Sequence, residues 1–176
     1  MTDRIAELEA RVRALEAELT RLRDIDEIKA LKARYCYFAD GGWGSALSTD
    51  AWMTLFTEDA VVRIRDASGE PVEFADRESL RVWHKALPHH AAMPRDFVAW
   101  HGAVNPVIEI EGDTARAIWH TLTPLVSSDP HSSVVLGGVN EEEYVRTDDG
   151  WRISRVEHLP GFLTKLGDSS VVTRSG

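Results

Sequence analysis

The chain has 176 residues, of which 43% are hydrophobic and 28% charged, proportions that fit one globular domain able to bury a sizeable core. Its formal net charge of -9 argues against nucleic acid and anionic membranes as partners, because both reward clustered lysine and arginine. Cys36 is the single cysteine, so no intramolecular disulfide forms. The charged N-terminus lacks the apolar region of a signal peptide, and we expect a cytoplasmic protein without a membrane span.

Residues 1–23 carry the apolar pattern of a coiled coil. The apolar positions alternate steps of three and four without glycine or proline: Ile5, Leu8, Val12, Leu15, Leu19 and Leu22. The two apolar positions of each heptad form the seam along which helices of a coiled coil pack. Leucine occupies the second position in all three heptads, and β-branched Ile5 and Val12 occupy the first position in two of them. In parallel coiled coils this choice favours a two-stranded assembly. An amphipathic helix lying on its own domain is the alternative, but so narrow a seam fits a partner helix better. The segment therefore predicts a homo-oligomer, either a dimer or a trimer.

A second helix is predicted to begin at Asp24, with Asp24 as N-cap and Glu27 as its capping-box partner. Gly41-Gly42 ends this helix, so Asp40 falls on the last turn, where the helix dipole disfavours a carboxylate. Either Asp40 belongs to an Asp-Gly-Gly turn, or it sits at the mouth of a pocket and polarises a catalytic histidine. One apolar stripe runs along the helix: Ile28, Leu31, Tyr35 and Phe38.

The remaining pattern predicts two helices and a meander of strands. The helices are 48–56 and 77–87, the latter capped by Asp76. The strands are 60–65, 97–111, 114–127, 134–147 and 151–158. Pro106 requires an edge or a bulge within the second of these strands. Helices followed by antiparallel strands indicate an α+β domain over 24–166, and 167–176 reads as a flexible tail.

Short motifs spread over residues 24–160 resemble, in order, those of SnoaL-like proteins in the NTF2-like superfamily. They are YCYFAD from Tyr35, WMTLFTEDA from Trp52, His101 with PVIEI from Pro106, GDTA from Gly112, EYVR from Glu143 and DGWRI from Asp149. The resemblance implies an NTF2-like cone, with three helices packed on a strongly bent antiparallel sheet, here preceded by the coiled-coil helix. The Tyr, Asp, His and late Arg positions are most similar to bile-acid 7α-dehydratase and hexachlorocyclohexane dehydrochlorinase, and more distantly to scytalone dehydratase. These enzymes are lyases.

The resemblance implies that His101 is the general base and that Asp40 orients its ring, as the carboxylate does in a catalytic triad. It also implies that Tyr35 donates a hydrogen bond to the leaving oxygen or to a substrate carbonyl, and that Arg155 helps the leaving group to depart. Two alternatives are equally open: Tyr35 is an aromatic residue of the core, and Arg155 forms a buried ion pair with Glu142. Strict alternation puts His101 on the solvated face with Glu109 and Glu111, so only a bulge at Asn105-Pro106 brings it to a pocket.

Several further side chains are candidates to line the substrate pocket. Thr121 and Thr123 share the face of Trp119, where the bile-acid dehydratase has a second acid, which argues against bile-acid chemistry. The aromatic candidates, which are core residues in the alternative interpretation, are Trp43, Trp52, Trp83, Trp100 and Phe97. We interpret His84, His89 and His90 as loop and surface residues, because their spacing does not suit a metal. We find no phosphate loop or dinucleotide fingerprint and expect no cofactor.

The sequence thus predicts a cofactor-independent lyase of the dehydratase type that acts on a bulky, apolar or aromatic small molecule. One alternative is an isomerase that moves a double bond with the same pair of residues. The other is a module that binds a small ligand or supports assembly without catalysis, since this fold hosts many functions.

Overall fold

The computed structural model describes residues 2–40, 49–65, 70–86, 98–126, 133–166 and 173–174. Its helices are α1 (Thr2–Ala39), α2 (Thr49–Met53) and α3 (Arg77–Ala86). Its strands are β1 (Phe56–Arg65), β2 (Pro71–Phe74), β3 (Val98–Ala99), β4 (Gly102–Glu111), β5 (Thr114–Val126), β6 (Val134–Thr147), β7 (Gly150–Lys165) and β8 (Thr173–Arg174). None of the described helices is long and apolar enough to cross a membrane. The predictions for Trp43, Phe97, His89 and His90 lie outside the described residues.

The described strands form one mixed sheet in the order β2-β1-β7-β6-β5-β3, with β4 paired to β5 and β8 paired to β7. The α+β class is confirmed, but a purely antiparallel sheet was wrong, because β1 and β7 run parallel. Short turns in the sequence predict antiparallel pairing only for strands that follow one another in the chain. β1 and β7 are separated by all the other strands of the meander, so no turn in the sequence indicated that they pair. Within the segment 167–176, which was predicted as a flexible tail, the structure describes Thr173–Arg174, which pairs with Phe162 and Leu163 of β7.

The segment predicted as a coiled coil and the first helix of the domain form one continuous helix, α1. The helix start predicted at Asp24 was therefore wrong. Asp24 is buried in the middle of α1, where its carboxylate accepts hydrogen bonds from Arg146 Nη2 at 2.7 Å and Trp151 Nε1 at 3.2 Å. These tertiary partners, rather than free N–H groups of a helix end, account for an aspartate at this position.

The hydrophobic core lies between the helices and one face of the sheet, which we call the inner face. From the helices it includes Ile28, Leu31, Trp52, Met53 and Leu80. From the inner face it includes Ala115, Ala117, Trp119, Tyr144, Trp151, Ile153 and Val156. Alternate residues of β5 and β6 are buried, as expected for strands that are covered on one side.

The short helices differ from prediction mainly at their ends. α2 ends at Met53 and β1 begins at Phe56. The strand predicted over 60–65 therefore starts four residues earlier and includes the polar residues 57–59, which resembled a loop in the sequence. Asp76 caps α3 as predicted, accepting the Ser79 N–H at 2.8 Å. The surface assignment of His84 was wrong. This residue is buried on α3, with its ring stacked on Trp52 at a centroid distance of 4.0 Å.

Two β-bulges decide which residues reach the inner face. In β4 the register shifts between Val104 and Val107, and Asn105 adopts a left-handed φ of 51°. The predicted bulge at Asn105-Pro106 is therefore present. In β7, Ile153 pairs with Tyr144 whereas Arg155 pairs with Glu143, so Ser154 is the extra residue. Each bulge moves the following side chains to the other face.

Candidate active site

The predicted hydrogen bond between Asp40 and His101 is present. Asp40 follows the last residue of α1, and its N–H donates to Cys36 O at 3.0 Å. Its Oδ1 lies 2.7 Å from His101 Nδ1 and accepts the His101 backbone N–H, also at 2.7 Å. The Asp40 side chain is 4% exposed, whereas that of His101 is 30% exposed. A buried carboxylate thus fixes both the ring and the backbone of a histidine that solvent can reach.

The bulge in β4 explains why His101 faces the helices. Ala103 pairs with Thr121 before the bulge, and Ile108 pairs with Ala117 after it. Both partners lie on the inner face of β5, so the inward positions of β4 change from odd to even numbers across the bulge. His101 has the parity of Ala103 and lies on the inner side, next to the end of α1.

The pair opens into a cleft of about 530 Å³ between α1 and β4. The cleft has a largely apolar wall and a small number of polar groups, as is usual for sites that bind small molecules. Its lining includes Lys32, Cys36, Tyr37, Asp40, Trp100, His101, Ala103, Val104, Pro106 and Trp119. Burial raises the pKa of the Cys36 thiol, so Cys36 is a protonated wall residue rather than a nucleophile.

A buried polar network lies behind the cleft on the inner face of β6. Glu142 forms an ion pair with Lys32 of α1 and accepts a hydrogen bond from the Tyr144 hydroxyl. Asn140 Nδ2 donates to Glu142 Oε1 at 3.1 Å, and Trp119 Nε1 donates to the Tyr144 hydroxyl at 3.0 Å. Lys32 and Trp119 also line the cleft, so the network is continuous with the wall that faces His101.

The network extends to a second histidine. His158 Nδ1 lies 2.8 Å from Asn140 Oδ1. Because Asn140 donates to Glu142 through Nδ2, its Oδ1 is left as an acceptor, and His158 Nδ1 must carry the proton. Burial, Lys32 and His101 together lower the pKa of His158. His158 is therefore neutral near pH 7 with a lone pair on Nε2. His101 has the same tautomer, because its Nδ1–H donates to Asp40.

Arg155 does not join this site. The bulge at Ser154 turns it to the outer face, where it donates to Glu157 Oε2 at 3.2 Å. It lines a depression there with Arg116, Glu109 and other residues. Neither predicted interpretation holds, since Arg155 lies apart from His101 and Glu142 is paired with Lys32. The inner position that follows Val156 belongs to His158.

Tyr35 lies in an aromatic cluster beside the network. Its ring packs against Trp52 and Phe56 at centroid distances of 5.5 and 6.1 Å, and Lys32 Nζ lies 4.3 Å above it. Burial, reinforced by the Glu142 carboxylate, raises the pKa of Tyr35, so the phenol stays protonated. Tyr35 is not part of the cleft wall, and these contacts are those of the core aromatic that the sequence left as an alternative.

The predicted substrate-binding residues separate into two groups. Trp52 is 1% exposed and contacts Trp83 and His84, while Trp83 packs on Phe74, so both tryptophans are part of the aromatic core. Thr121 and Thr123 share the inner face of β5 with Trp119, as predicted. The Thr121 hydroxyl is buried and has no hydrogen-bond partner among the described residues.

Three network residues were not singled out from the sequence: Lys32, Asn140 and His158. Lys32 gave a usable signal, because a lysine four residues after Ile28 interrupts the apolar stripe of the helix. Glu142 was considered only as a partner of Arg155, although alternation with Tyr144 places it inward. His158 could not be assigned without the bulge at Ser154. Within the described ranges, no three histidine, cysteine or acidic side chains are grouped as metal ligands.

In the part of the chain that the structure describes, three helices on one face of a mixed sheet, with a polar site beneath them, define an α+β domain of the NTF2-like type. A sequence model of the SnoaL-like domain matches residues 20–157, and the chain belongs to this family. The proposed domain start at residue 24 falls within this match.

Solved structures with similar folds include proteins named as an NTF2-like protein, a candidate dehydratase and a dehydrochlorinase. An NTF2-like protein of Novosphingobium aromaticivorans aligns with a TM-score of 0.63 and 29% identity over 82% of this chain and 86% of its own. A candidate scytalone dehydratase of the same species aligns with a TM-score of 0.67 and 18% identity over 83% of this chain and 89% of its own. A type 2 hexachlorocyclohexane dehydrochlorinase aligns with a TM-score of 0.65 and 19% identity over 85% of this chain and 93% of its own. At these identities the two named enzymes show a shared fold.

Proposed function

We propose that the chain is a cofactor-independent lyase that eliminates water or another leaving group from a bulky, apolar small molecule. The observation that carries this proposal is the His101–Asp40 pair at the mouth of the cleft. A histidine fixed through Nδ1 by a buried carboxylate presents Nε2 as a base, and the carboxylate stabilises the imidazolium that forms. Similar folds among proteins named for dehydration and dehydrochlorination support the same chemistry.

In the proposed reaction, His101 Nε2 removes a proton from a carbon next to an electron-withdrawing group. The electron pair of the broken C–H bond becomes the π bond to the neighbouring carbon, and the leaving group departs with its own bonding pair. We assign stabilisation of that departing charge to the Lys32 ammonium, which lines the cleft, in place of Arg155. A departing hydroxide takes up a proton from solvent and leaves as water, and His101 returns the proton from carbon to solvent.

A double-bond isomerase is the second candidate, and His158 is the observation that favours it. An isomerase removes a proton at one carbon and returns it at another. A second neutral imidazole near the first base could accept the abstracted proton at Nε2, hold it between the two steps and then return it. Isomerisation leaves the mass of the substrate unchanged, whereas elimination releases a small molecule. Analysis of the product therefore separates the two reactions.

The test uses bicyclic ketones that carry a β-hydroxyl or β-chloride, with appearance of the conjugated enone followed by absorbance. The same ketones without a leaving group are incubated in D₂O, and deuterium at the α-carbon is measured by mass spectrometry. His101→Ala should lower both rates by about 10²–10⁴-fold, the usual effect of removing a positioned general base. Asp40→Asn should lower both by a large fraction of that.

The two losses should be non-additive, because the residues act as one unit. His120→Ala is the matched control, since this histidine is exposed on the opposite face of β5. If wild-type protein neither exchanges nor eliminates, but binds the ketones with micromolar affinity, the alternative of a ligand-binding module takes over. Wild-type rates in His101→Ala would exclude the pair as a base.

A further inference from the structure

Residues 3–23 of α1 extend beyond the body of the domain. Residues 3–23 are exposed throughout their length. The exposed fractions of the seam side chains are 52% for Ile5, 51% for Leu8, 51% for Val12, 68% for Leu15, 47% for Leu19 and 48% for Leu22. A continuous stripe of large apolar side chains with this exposure indicates an interaction surface.

The seam faces away from the domain that the same helix helps to build. With about 100° of rotation per residue, the mean direction of the seam lies about 160° from that of the stripe formed by Ile28, Leu31 and Tyr35, which faces the core. A continuous α1 thus presents one apolar face to its own core and the other to its surroundings. The seam cannot pack on its own domain unless α1 breaks, so a second chain must cover it.

The charges that flank the seam are complementary when the second chain runs parallel to the first. In a parallel pair, each residue just before a first seam position lies opposite a partner residue five positions later. Arg4 then meets the partner's Glu9, Arg11 meets the partner's Glu16, and Glu18 meets the partner's Arg23. All three combinations are attractive, and two-fold symmetry repeats each of them.

The same charges also select the register. A shift of one heptad in one direction brings Arg11 opposite the partner's Arg23, and a shift in the other direction brings Glu18 opposite the partner's Glu16. Like charges at these positions disfavour a wrong partner register. Beyond Leu22 the next two seam positions are exposed Asp26 and Lys29, which end the apolar contact where the folded domain begins.

We propose that two copies of this chain associate through residues 1–23 as a parallel, in-register, two-stranded coiled coil. Glu18 accepts a hydrogen bond from Arg21 Nη2 of its own helix at 2.9 Å. Its side chain is 53% exposed in the single chain, so the carboxylate is also accessible to the partner's Arg23. The arrangement places both SnoaL-like domains at the same end of the coiled coil.

A disulfide test reads the orientation and register directly in the full chain. A parallel, in-register pair places both copies of position 8 face to face, so Leu8→Cys should give a covalent dimer under mild oxidation. Ala10→Cys is the matched control, because position 10 lies on the outside of the pair and should crosslink more than tenfold more slowly. Equal crosslinking of the two variants would overturn the proposal.

Charge exchange tests the flanking pairs. Arg11→Glu converts two attractive contacts into two repulsive ones and should raise the dissociation constant of the dimer about tenfold. Adding Glu16→Arg restores opposite charges and should return the constant to near the wild-type value. Sedimentation equilibrium measures both constants. A trimer mass, or a double variant as weak as the single one, would contradict the parallel pair.

Discussion

One carboxylate oxygen holds both the backbone and the ring of His101, and this geometry gives Asp40 a reason for its position. A carboxylate at the C-terminal end of a helix opposes the helix dipole, yet here it receives two N–H donors within 2.7 Å. The sequence pointed to this contact because Asp40 stood against its local preference. In the network of Lys32, Glu142 and Asn140, only Lys32 stands against its local preference, because it interrupts the apolar stripe of α1. Most of the network therefore could not be predicted from the sequence.

His158 should make the stability of the fold depend on pH. Burial, together with Lys32 and His101, lowers the pKa of His158 in the folded state. The unfolded chain therefore binds more protons than the folded chain as pH falls through about 6.5. The stabilisation from neutral His158 is present above that pH and is lost below it. We expect His158→Gln, whose amide can still donate to Asn140, to lose less stability than wild type between pH 7.5 and 5.5.

Urea denaturation at fixed protein concentration measures this difference, with His120→Gln as the exposed control. The control should follow the wild-type pH dependence. An unchanged pH dependence in His158→Gln would show that His158 titrates alike in the folded and unfolded chains.

At the scale of elements, two bulges of the same size had opposite outcomes for prediction. The bulge at Asn105-Pro106 was foreseeable, because proline lacks an N–H and interrupts the strand ladder. The bulge at Ser154 carries no such residue, and simple alternation therefore placed Arg155 on the wrong face. The continuity of α1 was missed for a related reason. Aspartate is a common helix N-cap, but Asp24 instead bonds to Arg146 and Trp151 of the sheet, and these contacts are not visible in the sequence.

The bulge in β4 should be sensitive to the residue that adopts its left-handed conformation. Asn105 has a φ of 51°, a region that asparagine and glycine tolerate and β-branched residues do not. Asn105→Val should lower the free energy of unfolding by about 1–2 kcal/mol, whereas Asn105→Gly should lower it less. Glu109→Val, on an exposed part of the same strand, is the control for β-branching in urea denaturation. Equal losses in Asn105→Val and Glu109→Val would remove the bulge as the cause.

At the scale of the whole molecule, the helix layer and the sheet are joined by buried polar contacts as well as by the apolar core. Lys32 and Glu142 are separated by 110 residues in sequence, and their side chains are 2% and 0% exposed. Asp24 makes a second connection of this kind to Arg146 and Trp151. Composition and helix order predicted the α+β class, while the parallel β1–β7 pair and these distant contacts depend on the folded topology.

Breaking the Lys32–Glu142 pair from one side should be more damaging than removing both charges. Lys32→Met leaves the Glu142 carboxylate buried without its cation and should lower the free energy of unfolding by about 3–5 kcal/mol. Adding Glu142→Gln removes the stranded charge and should recover more than half of that loss, which a double-mutant cycle in urea measures as coupling. Lys29→Met, one turn away on the exposed side of α1, should change stability by about 0.5 kcal/mol or less. A Lys32→Met loss no larger than that of Lys29→Met would mean that the pair does not hold α1 to the sheet.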